Sequence, residues 1–477
     1  VSFHYPLHRS VGSILREYFS QNPLMSIADV LAINKDGDAP TSVTEKQDKA
    51  ESLVLTLVEH PLLVLTLVAQ IEAGRWARNG RSMRIQILYY RNRFWYDITY
   101  EMDIFLLQMG ASVIPGEKFV SLVMSRFEVG GGTSRRATPY RRTNARVFCL
   151  GRARAGSSHF NSNFYKYFPG LKLGEPNSTG TQDPKIPFLG NTSERFDFDW
   201  MVGMGENFLM LIAQLVSDRS VIGENVEVTL RRSIVHWLAV QDFTYSQIQE
   251  KISGSLFSSA SPNTELDDQE RFQQCLELVS TFRAPAGSSL GRYTLKDECW
   301  HEIDLLFLHW SRQERQKVLA NYSSFYEFKV KQDPDFFSNA LKNRFSESTY
   351  PPSSHFPPPK DLSAEPIYRA FRKLPENMLS SRTLHWVVFS VLYNTLVGAN
   401  NRTSDTLIHT ALRLLEMCVQ FSNNLDEEVP GIPLRYAQFE SDNIFVNLCA
   451  LVPLINNKEP VYSTPVQSAR RENASRV

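Results

Sequence analysis

The sequence predicts a mainly α protein: a multi-helix scaffold with an embedded winged-helix domain made of three helices and a short β-hairpin. Hydrophobic residues make up 42% of the 477 residues and aromatic residues 12%, which is enough for a large core. Apolar residues recur at helical spacing through most of the chain. Over residues 225–312, three such helices precede two extended pieces around a Gly/Ser turn, which is the order of a winged helix.

The first predicted region is a helical scaffold over residues 1–128. Its first helix has five apolar residues at helical spacing, namely Leu7, Val11, Ile14, Leu15 and Tyr18. The most apolar run, residues 53–71, is interrupted by Glu59, His60 and Pro61. Because a membrane span needs about 20 unbroken apolar residues, we expect two buried helical pieces that meet at Pro61, and no membrane partner.

An arginine-rich stretch of this region, "RWARNGRSMRIQILYYRN" at residues 75–92, mixes arginines with Trp and Tyr. Asn79-Gly80 predicts a turn, and Ser82 is the predicted N-cap of the next helix. In that helix four apolar residues share one face: Met83, Ile87, Tyr90 and Phe94. The pattern alone leaves two interpretations open, a nucleic-acid surface or the polar side of a helix pair.

Residues 129–195 are predicted to be a disordered insertion. The segment is rich in Gly, Arg and Ser and has neither helical nor strand periodicity. Two alternatives stay open. Its basic start is typical of an RNA-binding or targeting segment, and the continuity of the flanking helical patterns would also fit a translated intron. A scaffold helix over residues 196–224 follows.

The winged-helix domain is predicted over residues 225–312, with Thr244 as the cap of its second helix. In helix-turn-helix folds the last helix of the core often reads DNA. Here that helix, predicted to begin near Asp267, is acidic together with its lead-in. Only two arginines, Arg271 and the terminal Arg283, balance its five acidic residues, which are Glu265, Asp267, Asp268, Glu270 and Glu277. Phosphate would be repelled, so the sequence favours contact with protein over DNA, although a wing is also able to bind DNA.

Three further regions follow the winged helix: a Pro-rich linker over residues 313–364, a second helical scaffold over 365–460 and a disordered tail over 461–477. In the second scaffold, "SSRTLHWVVFSVLYNTLVG" and "SDTLIHTALRLLEMCVQFS" predict an antiparallel helix pair. Ser404 or Asp405 is the predicted cap of its second member. No internal repeat is evident.

Charge and cysteine content exclude several classes of protein. Lys+Arg and Asp+Glu both number 51, so the formal net charge of zero argues against a protein built mainly to bind nucleic acid. The five cysteines form no C-x-x-C pair, which favours reduced thiols and a cytoplasmic location, with the nucleus as a further compartment. Because residue 1 is Val, we expect the chain to be part of a longer protein.

The residues themselves indicate no catalytic, cofactor-binding or metal-binding site. Cys299, His301 and His309 form the one cluster that would suggest a metal, but positions 299 and 301 point about 200° apart on a helix. Gly203–Phe208 contains closely spaced glycines without a preceding strand, so it is not a dinucleotide motif. The sequence has neither a phosphate-binding loop nor a G-x-S-x-G nucleophile motif.

Several ordered motifs resemble the central region of the N-recognin E3 ubiquitin ligases, the UBR family of the N-degron pathway. They are "HYPLHR" at the start, Pro61-Leu62, Ala69-Gln70, Gly74, Trp76, Arg78-Asn79-Gly80 and Asp103 to Gln108. "GRYTLKDECWHEIDLLFLHW" is similar to the family's winged helix, and "CWHEIDLLFLHW" within it resembles the plant branch typified by PROTEOLYSIS 6. The resemblance covers most of residues 1–128 and 196–425, and the insertion departs from it.

The resemblance implies a RING-type E3 ubiquitin transferase, which recognises destabilising N-terminal residues and promotes ubiquitination and proteasomal degradation. The implied partners are a ubiquitin-conjugating E2 enzyme and N-degron substrates. The family holds zinc in a UBR box and in a RING, and five scattered cysteines cannot build these modules. We therefore expect no cofactor in this chain, no activity of the chain alone, and the role of a central scaffold. The arginines from Arg75 to Arg91 would then lie mainly on the outer face of scaffold helices.

Two other functions compete with this interpretation. A nucleic-acid-binding winged-helix protein would use the Arg-rich insertion as an arm, but the acidic third helix and the zero net charge argue against it. A stand-alone helical interaction protein is the other, and the lack of a repeat period of about 30–45 residues argues against it.

Overall fold

The computed structural model describes residues 7–31, 43–74, 80–91, 97–127, 129, 192–252, 264–285, 290–332, 368–397 and 404–423. Nearly all of the predicted insertion, the Pro-rich part of the predicted linker and everything after residue 423 lie outside the described residues. The chain divides into two compact units. The first comprises residues 1–61, 81–113 and 213–374, and the second comprises residues 62–80, 114–212 and 375–477.

The described residues are mainly helical, as predicted. The helices of the N-terminal region are α1 Leu7–Gln21, α2 Ile27–Leu31, α3 Val43–Glu72, α4 Gly80–Tyr90, α5 Tyr100–Val113 and α6 Gly116–Arg126. Within the first unit α5 is the central helix, because every one of its residues is buried. α1 packs across α5 so closely that a Cβ on Gly12 would lie 2.6 Å from the sulfur of Met102.

α1 buries a different face from the one that its apolar residues suggest. Leu15 is buried, but Leu7 and Ile14 are 79% and 69% exposed. The buried face consists of Arg9, Gly12, Leu15 and Phe19. The reason is that the guanidinium of Arg9 is bound by a carboxylate on α5, and this ion pair fixes the rotation of α1 about its axis.

Pro61 lies inside one continuous helix, so the prediction of two helical pieces that meet there is wrong. A proline in a helix interior costs about 3 kcal/mol because it removes a backbone donor. Burial of apolar side chains on both sides, such as Val58 and Leu62, offsets that cost. Thr44–Glu72 is long and apolar enough to cross a membrane by length and composition. However, 56% of its most apolar window is buried inside the protein, as in the core helix of a folded domain.

α4 begins three residues before Met83, the predicted start. Its first residue is Gly80, so Ser82 lies within the helix and is not its N-cap. Of the predicted inner face, Ile87 and Tyr90 are buried and Met83 is half-buried, while Phe94 lies outside the described residues. Arg81 and Arg84 are exposed, as expected for the outer face of a scaffold helix.

The winged-helix domain has the predicted order of elements and lies within the first unit. It contains α8 Val226–Val240, α9 Tyr245–Lys251, α10 Thr264–Val279, β1 Ser280–Arg283 and β2 Arg292–Leu295, and α7 Thr192–Ser217 precedes it. The strands pair antiparallel, with Ser280 opposite Leu295 and Arg283 opposite Arg292. α8 packs against α9, α10 and β2, and its buried residues share a core with Ile248, Phe272 and Val279.

Two predicted helix starts in this domain have different outcomes. The cap at Thr244 is confirmed, because its hydroxyl accepts from the backbone of Gln247 while the Gln247 side chain accepts from the backbone of Thr244. This reciprocal arrangement satisfies two backbone donors that the first turn leaves without partners. The third helix, by contrast, begins at Thr264 and not near Asp267.

A helix occupies the start of the region predicted as a Pro-rich linker. A 3₁₀ helix at Asp297–Glu302 follows β2, and α11 runs from Arg312 to Gln332. The Asn321 amide on α11 donates to the carbonyl oxygens of Ala239 and Val240, at 2.9 and 3.0 Å. α11 therefore closes the C-terminal end of α8 and contributes Val318 and Tyr322 to the core of the winged helix, beyond the predicted boundary at residue 312.

The second unit contains α6, most of α7, all but the first residue of α12 Leu374–Leu379, and two further helices, α13 Arg382–Val397 and α14 Asp405–Asn423. The α13 and α14 helices pack against each other. The predicted cap at Ser404 is confirmed, since its hydroxyl accepts from the backbone of Leu407 at 3.1 Å. At the start of α13, the carboxylate of Glu117 accepts from the backbone amides of Arg382 and Thr383. A side chain in the first turn of α6 thus caps the N-terminus of α13 and holds the two helices together.

Candidate docking surface and its buried supports

A buried ion pair joins α1 to α5. Arg9 donates to Asp103 from Nε at 2.9 Å and from Nη2 at 2.7 Å, and neither side chain is exposed. The Tyr90 hydroxyl donates to the same carboxylate at 2.6 Å, and His8 Nε2 lies 3.2 Å from it. Burial acts to raise the pKa of Asp103, but the hydrogen bonds from His8 and Arg9 outweigh it and lower that pKa. The carboxylate is fully committed to holding neighbouring elements, so it is not free to act in catalysis.

Gln108, on the same helix, anchors the other side of α5. Its Nε2 donates to the carbonyl oxygens of Leu215 and Asp218, at 3.1 and 2.6 Å, and the side chain is completely buried. These carbonyls lie at the end of α7 and just after it. Asp103 and Gln108 therefore hold α1 and the lead-in of the winged helix onto one helix, all within the first unit.

A second buried ion network fixes the winged helix to that lead-in. Arg232 on α8 contacts Asp218 and Asp304, with N–O distances of 3.0 Å to each. Burial acts to lower the pKa of Arg232, but the two carboxylates, Asp218 before Asp304, more than compensate and raise it. Burying an unpaired guanidinium costs free energy, and the two carboxylates offset that cost because they neutralise its charge and accept its hydrogen bonds.

His236 completes this network as a neutral ring. Its Nε2 accepts from the backbone amide of Asp304 at 2.9 Å, so the proton lies on Nδ1, which donates to the carbonyl oxygen of Arg232 at 2.6 Å. The ring stacks on Phe307, with centroids 4.4 Å apart. Both nitrogens are engaged in the fold, and the histidine has a structural role.

The exposed surface of the domain is divided by charge. On α10, Glu270 and Glu277 are exposed. On the hairpin, Arg283 and Arg292 lie opposite each other, and Asp242 holds both. The side-chain oxygen of Asp242 is 3.6 Å from Arg283, and its backbone oxygen accepts from Arg292 at 3.1 Å. Like charges directly opposite on a hairpin repel each other, and the contacts to Asp242 offset that repulsion.

Three large apolar side chains are exposed where α10 meets the hairpin. They are Leu278, Phe282 and Leu290, which we call the wing patch. The ring of Phe282 packs against Tyr293, with centroids 5.1 Å apart, and the side chain remains 54% exposed. Clustered exposed apolar side chains beside charged residues are typical of surfaces that contact protein. The wing patch is the candidate functional site of this domain.

The cysteine and histidines that sequence spacing suggested as metal ligands do not form a metal site in the structure. The Cys299 sulfur is buried 3.9 Å from Arg231 Nη2, and burial raises the pKa of this thiol to about 12. His309 packs edge-on against Phe307, and burial lowers its pKa to about 4. Among the described residues there is no group of three His, Cys, Asp or Glu side chains that could hold a metal ion. Gly203–Phe208 lies in the middle of α7, where a phosphate-binding loop has no room.

Sequence reasoning did not identify the buried anchors Arg9, Asp103, Gln108 and Arg232. Their partners are distant in sequence, and charged residues are normally assigned to the surface. A signal was nevertheless present. Arg9 ends the "HYPLHR" motif, and Asp103 and Gln108 are the first and last residues of another motif of the resemblance.

Two family models match the chain. One, the UBR1/2/3-like ARM repeat domain, matches residues 1–136, and the other, the winged-helix domain of E3 ubiquitin-protein ligase UBR1-like proteins, matches residues 229–335. The second match ends close to the end of α11, in agreement with the assignment of that helix to the domain. ARM repeats are helical repeats, so the first match places residues 1–136 in a repeat domain although no repeat is evident in the sequence pattern.

Curated relatives agree with both family models. The chain is 24% identical to E3 ubiquitin-protein ligase PRT6 of Arabidopsis thaliana over 68% of its length. It is 28% identical to UBR1 of Homo sapiens over 56% and 25% identical to UBR3 of Mus musculus over 96%. It spans only 13%, 12% and 20% of these three relatives. The chain therefore contains a UBR1/2/3-like ARM repeat domain and a UBR1-like winged-helix domain, and the relatives that it resembles are E3 ubiquitin-protein ligases of the UBR family.

Proposed function

We propose that this chain is the central scaffold portion of a RING-type E3 ubiquitin-protein ligase that recognises destabilising N-terminal residues. The observation that carries the proposal is the double anchoring of α5. Through Asp103 this helix holds α1, and through Gln108 it holds the lead-in to the winged helix. Buried polar contacts of this kind have strict geometry, so they fix the two regions in one orientation.

The proposed role is to keep a substrate-binding module and an E2-binding module in register within the full-length protein. Ubiquitin transfer requires the substrate lysine to meet the E2 thioester, and positioning of reactants contributes several kcal/mol to a reaction barrier, about 7–11 at best. A scaffold lowers the barrier by positioning the reactants, without contacting the reacting atoms. No catalytic residue is assigned to this chain, and zinc would belong to the UBR box and RING of the full-length protein.

Gln108→Leu in the full-length protein tests the scaffold. The change keeps side-chain volume but removes both hydrogen bonds to the lead-in. We expect ubiquitination of a substrate with N-terminal Arg to fall, while binding of an Arg-terminal peptide and discharge of ubiquitin from the E2 to free lysine persist. Gln313→Leu, at an exposed position of α11, is the matched control. Unchanged transfer with Gln108→Leu would contradict the scaffold role.

Two comparisons test the rest of the proposal. The purified chain, supplied with E1, E2, ubiquitin and ATP, is expected to ubiquitinate nothing, whereas the full-length protein modifies the substrate. Robust transfer by the chain alone would show that it contains the catalytic module. The full-length protein is expected to prefer N-terminal Arg over Met, and equal rates on both substrates would remove the N-degron assignment.

Nucleic-acid binding is the second candidate, and the paired arginines of the hairpin favour it. It predicts binding of duplex DNA that weakens steeply with salt and is lost in Arg283→Ala/Arg292→Ala. The acidic side chains on α10 lie beside this hairpin, so we expect no such binding. A salt-dependent complex that the double variant abolishes would reverse the choice.

A further inference from the structure

The outer face of α4 presents an apolar ridge flanked by arginines. The α4 outer face consists of Arg81, Arg84, Ile85, Leu88 and Tyr89, all of which are exposed. Leu88 and Tyr89 are 70% and 64% exposed, so most of each side chain is open to solvent. Positions 81, 85 and 88 follow the three- and four-residue spacing that places side chains in one row along a helix.

The opposite face holds α4 firmly in place. Ile87 and Tyr90 are buried, the Tyr90 hydroxyl donates to Asp103, and the Tyr90 carbonyl accepts from Thr99 Oγ1 at 2.8 Å. Because the helix is fixed through this inner face, it cannot rotate to bury Leu88 and Tyr89. The outer face is therefore preorganised for a partner and loses little conformational freedom on binding.

The positive charge of the α4 outer face favours an acidic partner. The eleven residues of α4 include two arginines and no Asp or Glu. Within the described parts of the chain no carboxylate pairs with Arg81 or Arg84. A helical segment with leucine-like residues in one row and acidic residues beside them would bury the ridge and pair both guanidinium groups. Nucleic acid fits less well, because three large apolar side chains would face phosphate.

We propose that the α4 outer face docks an acidic amphipathic helix of a partner protein. This inference does not depend on the proposed ligase function, since it rests on α4 alone. It gives α4, within the arginine-rich stretch, a specific role: its exposed apolar residues contact the partner, and Arg81 and Arg84 favour a partner of negative charge.

A library of helix-forming peptides, selected on the whole chain with counter-selection on Ile85→Ser/Leu88→Ser, is the direct test. We expect the selected peptides to share apolar residues at helical spacing and an excess of Asp and Glu. Selection of basic or uncharged sequences, or no selection above background, would overturn the proposal. Leu24→Ser, which removes a similarly exposed leucine that is not on α4, is the control and should leave peptide binding unchanged.

A charge exchange then decides whether the arginines act as proposed. Arg81→Glu/Arg84→Glu should weaken the selected acidic peptide by about tenfold or more, equivalent to about 1.4 kcal/mol. The same peptide with Lys in place of its acidic residues should bind this variant better than it binds the wild type. Equal affinities in all four combinations would overturn the charge assignment. Tighter binding of a duplex RNA than of the peptide, lost in the double variant, would replace the protein partner with nucleic acid.

Discussion

At the scale of single residues, the fold depends on charges placed where water cannot reach them. Arg9 and Asp103 are 94 residues apart and form a bidentate pair with no exposed surface. A pattern of apolar spacing cannot reveal such a pair, because one sequence does not show which distant charges meet. For this reason the sequence assigned Leu7 and Ile14 to the regular face of α1, whereas the structure buries Arg9.

Asp103→Asn should destabilise the chain strongly. It leaves the guanidinium of Arg9 buried without its counter-charge, which typically costs about 3–5 kcal/mol. Urea-induced unfolding measures the loss. Arg9→Leu/Asp103→Leu should recover most of it, since no charge is then left buried. Asp29→Asn, at an exposed pair with Lys46, is the control and should cost about 1 kcal/mol or less. Equal losses at Asp103 and Asp29 would contradict the structure.

His60 should make stability depend on mildly acidic pH. Burial first, and then the neighbouring His8, lower its pKa to about 4, and the two rings lie 4.3 Å apart. The unfolded chain, with an ordinary histidine pKa of about 6.5, binds the proton first. Between pH 6.5 and 4 the free energy of unfolding therefore falls as pH falls.

Unfolding of the wild type and of His60→Gln, measured from pH 7 to 4, checks this dependence. The variant should show a shallower slope, because residue 60 no longer titrates. A wild type and variant with parallel slopes would show that His60 is not the responsible group. Protonation of His309, whose pKa is also lowered to about 4, leaves a residual slope in both proteins.

At the scale of elements, features set by neighbouring residues were predictable from the sequence, whereas features set by tertiary contacts were not. The caps at Thr244 and Ser404 and the order of the hairpin follow from neighbouring residues, and they are confirmed. The end of the winged-helix domain does not follow from local signals. α11 is a polar helix whose assignment depends on Asn321 reaching the end of α8.

Two glycines of the second unit should respond oppositely to the same substitution. A Cβ on Gly116 would overlap the backbone carbonyl of Asn377, whereas one on Gly205 would make ordinary contact with Leu407 at 3.7 Å. Gly116→Ala should therefore destabilise by about 1–3 kcal/mol. Gly205→Ala should stabilise α7 by about 0.5–1 kcal/mol. Thermal unfolding distinguishes them, and two changes of the same sign would contradict the packing of α6 against α12.

At the scale of the whole molecule, the described helices differ in how much of their surface other elements cover. Every residue of α5 is buried, whereas α4 leaves one face open. Composition shows that α5 is the more apolar of the two helices, but it does not show which helix distant parts of the chain will cover. The central position of α5 depends on contacts made by residues from three separate stretches of the first unit.

Hydrogen exchange should rank these helices in the order of their burial. Amides of α5 open only when its surroundings open, so they should exchange near the rate set by global unfolding of the first unit. Amides of α4 should exchange faster. Peptide-resolved mass spectrometry measures both rates in one experiment. Faster exchange in α5 than in α4 would show that α5 is not the centre of its unit.

The distance in sequence between Arg9 and its partners has a consequence for biosynthesis. Ribosomes add about 5–20 residues per second, so Arg9 is made roughly 5–20 s before Asp103. The acceptors of Gln108, at Leu215 and Asp218, follow more than a hundred residues later. During that interval α1 has a charged face with no partner and remains in water. The nascent chain thus cannot complete its first unit until the start of the winged helix has emerged, and chaperones have that time to bind it.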